Sequence, residues 1–363
     1  MSLQVNFFAH FNYTGVGRHC ENAFFAISRN RPAGLVVEYV NQTREASVAR
    51  AVQSSQANKD VTLFFWVYPG QLVQAFQGRR IIWWFFESNR LPHKWIQALG
   101  SYDEIWTPSN WAREVLLAHG QPADRVRVIE SGVNTEVFRP VDRAHDGFIF
   151  LSVGKYEGRK SIDETVEAYL AEFPAAQYPH VQLWLKADFP LFPERVRSLA
   201  EKLVHDPRIR VVSGEYTDDQ MAELYRSADA FVFPSKAEGF GLPLLEAIAS
   251  GVPAICTKVS AQSAFLDRIP GLYAGVQYEI APIVDHDYKF FYESDYGGTD
   301  FGSWALPSIK SIRSAMREIY ENPVVWKDRA QRAASIVRRD FSWDAIALKA
   351  ITAIRDPLGG YRD

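Results

Sequence analysis

The sequence predicts an α/β fold of two doubly wound, mostly parallel domains. Short β-rich runs alternate with helical patterns in both halves of the chain, which argues for stacked βαβ units. In the second half, strand patterns run into glycine-containing loops and then into helix starts, the arrangement by which open α/β sheets bind ligands at strand carboxyl ends. A chain of 363 residues also exceeds one comfortable core, so two domains with a cleft between them are expected.

The first half offers strands at Leu3 to Phe8, Leu35 to Val40, Val61 to Trp66, Ile81 to Phe85, Glu104 to Trp106 and Val126 to Ile129. Helical patterns such as Gly17 to Ile27 and Trp111 to His119 lie between them. The second half offers strands at Phe148 to Val153, Val181 to Lys186, Ile209 to Val212, Ala230 to Phe233 and Pro253 to Cys256. The polar stretch "NTEVFRPVDRAHDG", with Pro140 and Gly147, reads as a linker and gives domains over 1–140 and 147–340. The tail "FSWDAIALKAITAIRD" has helical spacing and reads as a closing helix over 342–356 that packs back on the first domain. Residues 285–303 have no clean period and read as an irregular insertion whose length hints at a functional loop.

Composition narrows the function. Hydrophobic residues make up 47%, charged residues 23% and aromatics 14%, a globular balance. With 40 basic against 43 acidic residues and a formal net charge of −3, the chain offers no field for a nucleic acid backbone. Cys20 and Cys256 have neither CxxC spacing nor nearby histidines, so no disulfide framework or zinc site is indicated. The start "MSLQVNFFAHFNY" lacks the features of a signal peptide, which points to the cytoplasm. The apolar runs Val61 to Tyr68 and Ile81 to Phe86 fall short of the roughly 20 residues a membrane span needs. They read as buried strands, while their Trp and Phe content also suits a lipid-linked acceptor and peripheral contact with the inner membrane face.

Two loops in the second half carry chemistry. In "FIFLSVGKYEGRKSIDETVEAYL", Ser161 and Glu164 have the spacing of a capping box, so Lys155, Arg159 and Lys160 fall between a strand end and a helix start. Dipole and unpaired backbone N–H groups favour an anion there; the bland alternative is a solvated basic cluster. In "ADAFVFPSKAEGFGLPLLEAIASGVPAI", Gly239 and Gly241 permit close backbone approach, and Pro243 suits a first helical turn. Glu238 lies in that loop and Glu246 in the helix, positions suited to accepting hydrogen bonds from sugar hydroxyls and a ribose diol. Their bland alternatives are a solvated loop residue and a partner of the helix dipole.

The segment "SKAEGFGLPLLEAIASGVPAI" resembles the E-x7-E signature of retaining GT-B glycosyltransferases of family 4. "TPSNWAREVLLAHGQPADRVRVIESGVNTEVFRP", "SVGKYEGRKSID" and "GEYTDDQMAELYRSADAFVFPS" resemble further segments of that family, so the likeness runs over most of residues 100–260. It implies two Rossmann-like domains facing across a cleft, the donor held mainly by the second. By position, Arg159 and Lys160 are implied diphosphate ligands, Lys155 stands where the family often has Arg, and Ser161 replaces a usual Gly. Glu238 is implied to contact the transferred sugar and Glu246 the ribose. Amides from Phe240 through Gly241 to Leu242 would hold the donor, and Tyr216 and Thr217 would line the base pocket.

Near the start, "NYTGVGRHCENA" resembles the family's glycine loop, which gives Gly15 and Gly17 a donor-side role. The same glycines also form a GxG, with Glu38 about 20 residues on, as in a dinucleotide fingerprint, so a nicotinamide oxidoreductase is a rival reading. Many relatives carry a His after the fourth strand; here "WWFFESNRLPHKW" supplies Glu87, with His93 further on. His10 and Glu87 are the acceptor-side candidates. The resemblance implies transfer of a hexose from a UDP- or GDP-linked donor to a glycan, lipid-linked or small-molecule acceptor, in surface polysaccharide or glycoconjugate synthesis, with retention and no metal. The "DHD" at Asp285 to Asp287 fits another class's metal motif, but three residues match easily by chance. A sugar-nucleotide-binding protein without catalysis, and a GT-B epimerase or phosphorylase, are further rivals.

Overall fold

The computed structural model describes residues 2–12, 14–41, 55–141, 146–188, 193–298 and 300–358. The chain divides into two units: Met1–Gly132 with Tyr292–Gly302 and Phe341–Asp363, and Val133–Phe291 with Ser303–Asp340. The change of unit thus falls at Val133, and part of the predicted linker, residues 142–145, lies outside the described residues.

In the first unit, strands β1 (Leu3–Ala9), β2 (Leu35–Asn41), β3 (Val61–Phe64), β4 (Arg79–Trp83), β5 (Glu104–Thr107) and β6 (Val126–Val128) form one sheet in the order β2-β1-β3-β4-β5-β6. Every pairing is parallel, with Val5 opposite both Val37 and Val61. The apolar runs of the sequence are its interior: β3 is buried throughout, and Phe7, Phe8, Trp83 and Trp106 are fully enclosed. The helix Gly15–Asn30 follows β1, capped by Thr14, whose hydroxyl accepts the Gly17 N–H at 3.2 Å. Gly17 is required by close approach, because a Cβ there would strike Asn12; around Gly15 the space is open.

The helix Trp343–Arg355 belongs to this unit and packs on Gly15–Asn30. Asp344 accepts hydrogen bonds from Arg29 and Asn30, and Arg79 donates to the carbonyls of Ala353 and Ile354, placing a cation at the helix C-terminus. Arg79 is itself buried against Glu104 at 3.4 Å.

In the second unit, β7 (Phe148–Lys155), β8 (Val181–Asp188), β9 (Ile209–Val212), β10 (Ala230–Phe233), β11 (Ala254–Cys256) and β12 (Ala274–Gly275) form a sheet in the order β12-β11-β10-β7-β8-β9. All its pairings are parallel. This is the dinucleotide-fold order, which reverses between β7 and β10. An antiparallel pair, β13 (Tyr278–Pro282) and β14 (Ser303–Pro307), stands apart from the sheet.

Two local expectations are corrected. Residues 285–303 are not irregular throughout: a helix spans His286–Tyr296 and β14 begins at Ser303, with residue 299 outside the described residues. Asp285 accepts the Tyr288 N–H at that helix start and Asp287 pairs with Arg195 at 2.6 Å. Ser161 and Glu164 do not form a capping box. Ser161 sits at φ 53, its side chain caps nothing, and Glu164 pairs with Lys236 at 2.7 Å.

His19 is a buried imidazole, its ring edge-on to Trp83 and Phe85 and its Nδ1 2.8 Å from Ser131 Oγ. Burial disfavours its charged form and pushes its pKa down to about 3. The unfolded chain takes up this proton near its ordinary value, so stability present above pH ~6.5 falls with acidification until the folded histidine also titrates. At pH 4 the loss is about 3 kcal/mol. Urea unfolding between pH 7 and 4 tests this: His19→Gln should flatten the decline, and an unchanged slope would remove His19 as its source.

Candidate functional site

The site is built on the second unit's switch point. Loops leaving β7 and β10 rise side by side there, although their residues lie far apart in sequence. After β7 the chain makes a short 3₁₀ turn, Gly158–Lys160, which aims Arg159 and Lys160 inward. After β10 it runs through Pro234–Gly241 into the helix Leu242–Ala249.

Lys160 Nζ donates to Glu238 Oε1 at 2.6 Å, and Arg159 Nη1 approaches the same oxygen at 3.3 Å. Ser235 Oγ donates to it as well, at 2.7 Å. Arg159 also donates to the Ala237 carbonyl at 2.7 Å and pairs with Glu157 at 3.4 Å. Arg159 and Lys160 are 9% exposed and Glu238 5%, so this ion cluster is held largely away from water. Burial lowers the Lys160 pKa, and Arg159 adds to that against the pull of Glu238. For Glu238, burial alone would raise the value, but Lys160 and Arg159 together outweigh it and hold the carboxyl below its ordinary range. Lys155, at the end of β7, is exposed and pairs with Glu157 at 3.5 Å.

Two serines absent from the sequence reading complete the frame. One is Ser235; the other, Ser260, accepts the Glu238 N–H on its Oγ at 2.7 Å from a left-handed backbone, φ 48. Such conformations cost non-glycine residues about 1 kcal/mol or more and cluster at functional sites. Ser161, the other non-glycine residue at positive φ among those described, occupies the position where the resembled family has glycine.

Gly241 adopts φ 91 and opens the next helix, whose Leu244 and Leu245 amides reach back to its carbonyl at 3.1 Å. Gly239 and Phe240 are buried beside it, and the Phe240 ring lies edge-on to Phe265. The Leu242 amide lies in the helix's first turn, where N–H groups lack intrahelical acceptors, and Pro243 beside it has no N–H. Glu246, on that helix, accepts from Tyr225 Oη at 2.9 Å. Burial and the Glu246 charge raise the Tyr225 pKa, which keeps it a donor.

Tyr216 and Thr217 follow β9. Tyr216 has the Lys186 ammonium 4.9 Å from its ring centre. Thr217 is exposed, and its hydroxyl is committed to a capping box with Gln220, for which the sequence carries a T-x-x-Q signal. In the first unit, His10 follows β1 with its Nδ1 buried and without a hydrogen bond to any described residue. Glu87 is partly buried after β4, and His93 is exposed at the start of the helix His93–Leu99. Among the described residues, no group of three or more His, Cys, Asp or Glu could hold a metal ion, and no helix is long and apolar enough to cross a membrane.

Residues 133–266 match the family described as glycosyl transferases group 1. Among curated proteins, the D-inositol 3-phosphate glycosyltransferase of Acidothermus cellulolyticus is 31% identical over 175 residues, 42% of this chain and 37% of that protein. The O-antigen chain mannosyltransferase B of Escherichia coli is 30% identical over 178 residues, 45% of each. The matched stretch is therefore less than half of either relative. Among solved structures, Anabaena HepE, crystallised with UDP and glucose, is similar at a TM-score of 0.71 and 12% identity over 98% of this chain and 100% of that one. Sucrose-phosphate synthase from Thermosynechococcus elongatus gives 0.70 and 18% identity over 97% and 98%. The fold is that of GT-B glycosyltransferases, two Rossmann-like domains.

Removing the Glu238 carboxylate would leave buried Lys160 without its counter-charge and Arg159 paired with Glu157. Glu238→Gln should lower the unfolding free energy by about 3 kcal/mol, while Lys160→Met with Glu238→Gln should cost less than the two single changes summed. Urea unfolding of the four proteins closes the cycle, and strictly additive energies would refute the coupling.

Proposed function

We propose that this chain is a glycosyltransferase that moves a sugar from a nucleotide diphosphate donor to an acceptor, with the donor held on the second unit. The observation that carries this reading is the buried Lys160–Glu238 pair at the switch point, inside the stretch that matches glycosyl transferases group 1. Support comes also from the similarity to HepE, a protein seen with UDP-glucose, and from curated relatives named as glycosyl- and mannosyltransferases.

In this reading the leaving diphosphate is met by Lys160, whose ammonium carries three N–H groups, and by the first turn of the helix Leu242–Ala249. Arg159, tied to Ala237 and Glu238, sets the height of that loop. Glu238 keeps Lys160 charged against the pull of burial and presents its carboxylate to the transferred sugar; Glu246 takes the ribose. The chemistry is electrostatic stabilisation of a departing anion by fixed groups, so no metal is needed. Retention as in family 4, a UDP- or GDP-linked hexose, a glycan or lipid-linked acceptor, a place in surface polysaccharide or glycoconjugate synthesis, and a cytoplasmic location with peripheral membrane contact complete the reading.

A thermal-shift panel of UDP, GDP, ADP and their sugars should single out one base, since a ligand at 100 times its Kd stabilises by about 2.7 kcal/mol. With that donor, Lys160→Ala and Glu238→Gln, checked for folding by circular dichroism, should each lower donor turnover at least about 100-fold, the scale of losing a charge-stabilising group. Turnover should survive dialysis against EDTA. Binding of NADH without any sugar nucleotide, or full activity in either folded variant, would overturn the assignment.

A further inference from the structure

Gln262 is fully buried, and neither its Oε1 nor its Nε2 makes a hydrogen bond to any described residue. Leaving a buried polar group unpaired costs on the order of 1–3 kcal/mol, so an amide unpaired at both ends is a feature a fold does not keep for stability. Its position is fixed by the loop that secures Glu238. Ser260 holds the Glu238 amide, and the Ala261 N–H donates to the Glu238 carbonyl at 3.3 Å. Gln262 therefore lies against the start of the helix Leu242–Ala249. A Cβ on Gly241 would sit 3.1 Å from Gln262 Cγ and 3.7 Å from Glu238 Cγ, so glycine at 241 makes room for both side chains.

We infer that Gln262 is a ligand of the sugar that is transferred, acting beside Glu238; the inference rests on the donor-site reading above. The chemistry selects the ligand. Oε1 needs a donor and Nε2 an acceptor, and a sugar hydroxyl supplies both, whereas a phosphate oxygen can only accept. Glycines at 239 and 241 give the intervening loop the backbone freedom to admit a hydroxyl to an amide that is enclosed without it.

The test compares wild type with Gln262→Met, which keeps the length of the side chain and removes both polar atoms. Titration calorimetry would use the preferred free nucleoside diphosphate and the matching sugar nucleotide, alongside donor turnover and urea unfolding. The expected result is a stability equal to or above wild type, diphosphate affinity within about twofold, and sugar-nucleotide affinity lowered about tenfold, the size of one lost hydrogen-bonding group. Unchanged sugar-nucleotide affinity in the folded variant, or an equal loss for the free diphosphate, would overturn it. Should the Met variant fail to fold, Gln262→Leu, which also removes both polar atoms and is smaller, carries the same comparison. Wild type that binds neither ligand would refute the donor site itself, and this inference with it. Wild type and variant that bind both ligands alike would refute only the role of Gln262.

Discussion

A carboxylate enclosed by protein has to find its counter-charges nearby or give up its own charge, and Glu238 finds two on one oxygen. That requirement organises the second unit's functional end. It needs β7 and β10 to be sheet neighbours, so that the cations of one loop meet the Glu238 carboxylate of the other. It also needs a small residue at 154, where a Cβ would press on the Lys160 stem at 3.3 Å, and it holds Ser260 in a conformation serine seldom adopts. Each of these is costly or restrictive alone, and together they hold a cation of lowered basicity in place beside a helix start.

Much of the architecture was legible because it is written in burial. Runs such as Val61 to Phe64 and Ala230 to Phe233 are apolar without interruption, which a parallel sheet covered on both faces demands. The helix His286–Tyr296 escaped notice for the opposite reason. Only Tyr288 on it is buried, and Phe290 is exposed, so it leaves no amphipathic period to read. At Ser161 the S-x-x-E spacing was correct and the backbone was not, because a residue in the left-handed region cannot turn its side chain to the cap position.

For the site, residue types and their place at strand ends could be read, but the contact between them could not. Spacing places Lys160 and Glu238 each after a strand; only strand order, which reverses between β7 and β10, makes those ends adjacent. Ser235, Ser260 and Gln262 carry no motif, and their part emerges from hydrogen bonds made or missing in three dimensions. Thr217 shows the converse: its T-x-x-Q spacing announces the capping box that its hydroxyl forms.

The return of Trp343–Arg355 to the first unit has a temporal side. The ribosome releases the first sheet early, yet the helix that covers Gly15–Asn30 and receives Arg79 emerges only after the second unit's sheet has been made. During synthesis the first unit waits with a flank uncovered at His19, whose ring meets Trp343 in the finished fold, while the second unit is already complete enough to fold. The nascent chain thus carries an exposed apolar surface for the time it takes to add some two hundred residues, about 10 to 40 seconds at ordinary elongation rates. That interval, more than the final balance of contacts, is when this sequence is most open to aggregation and to chaperones.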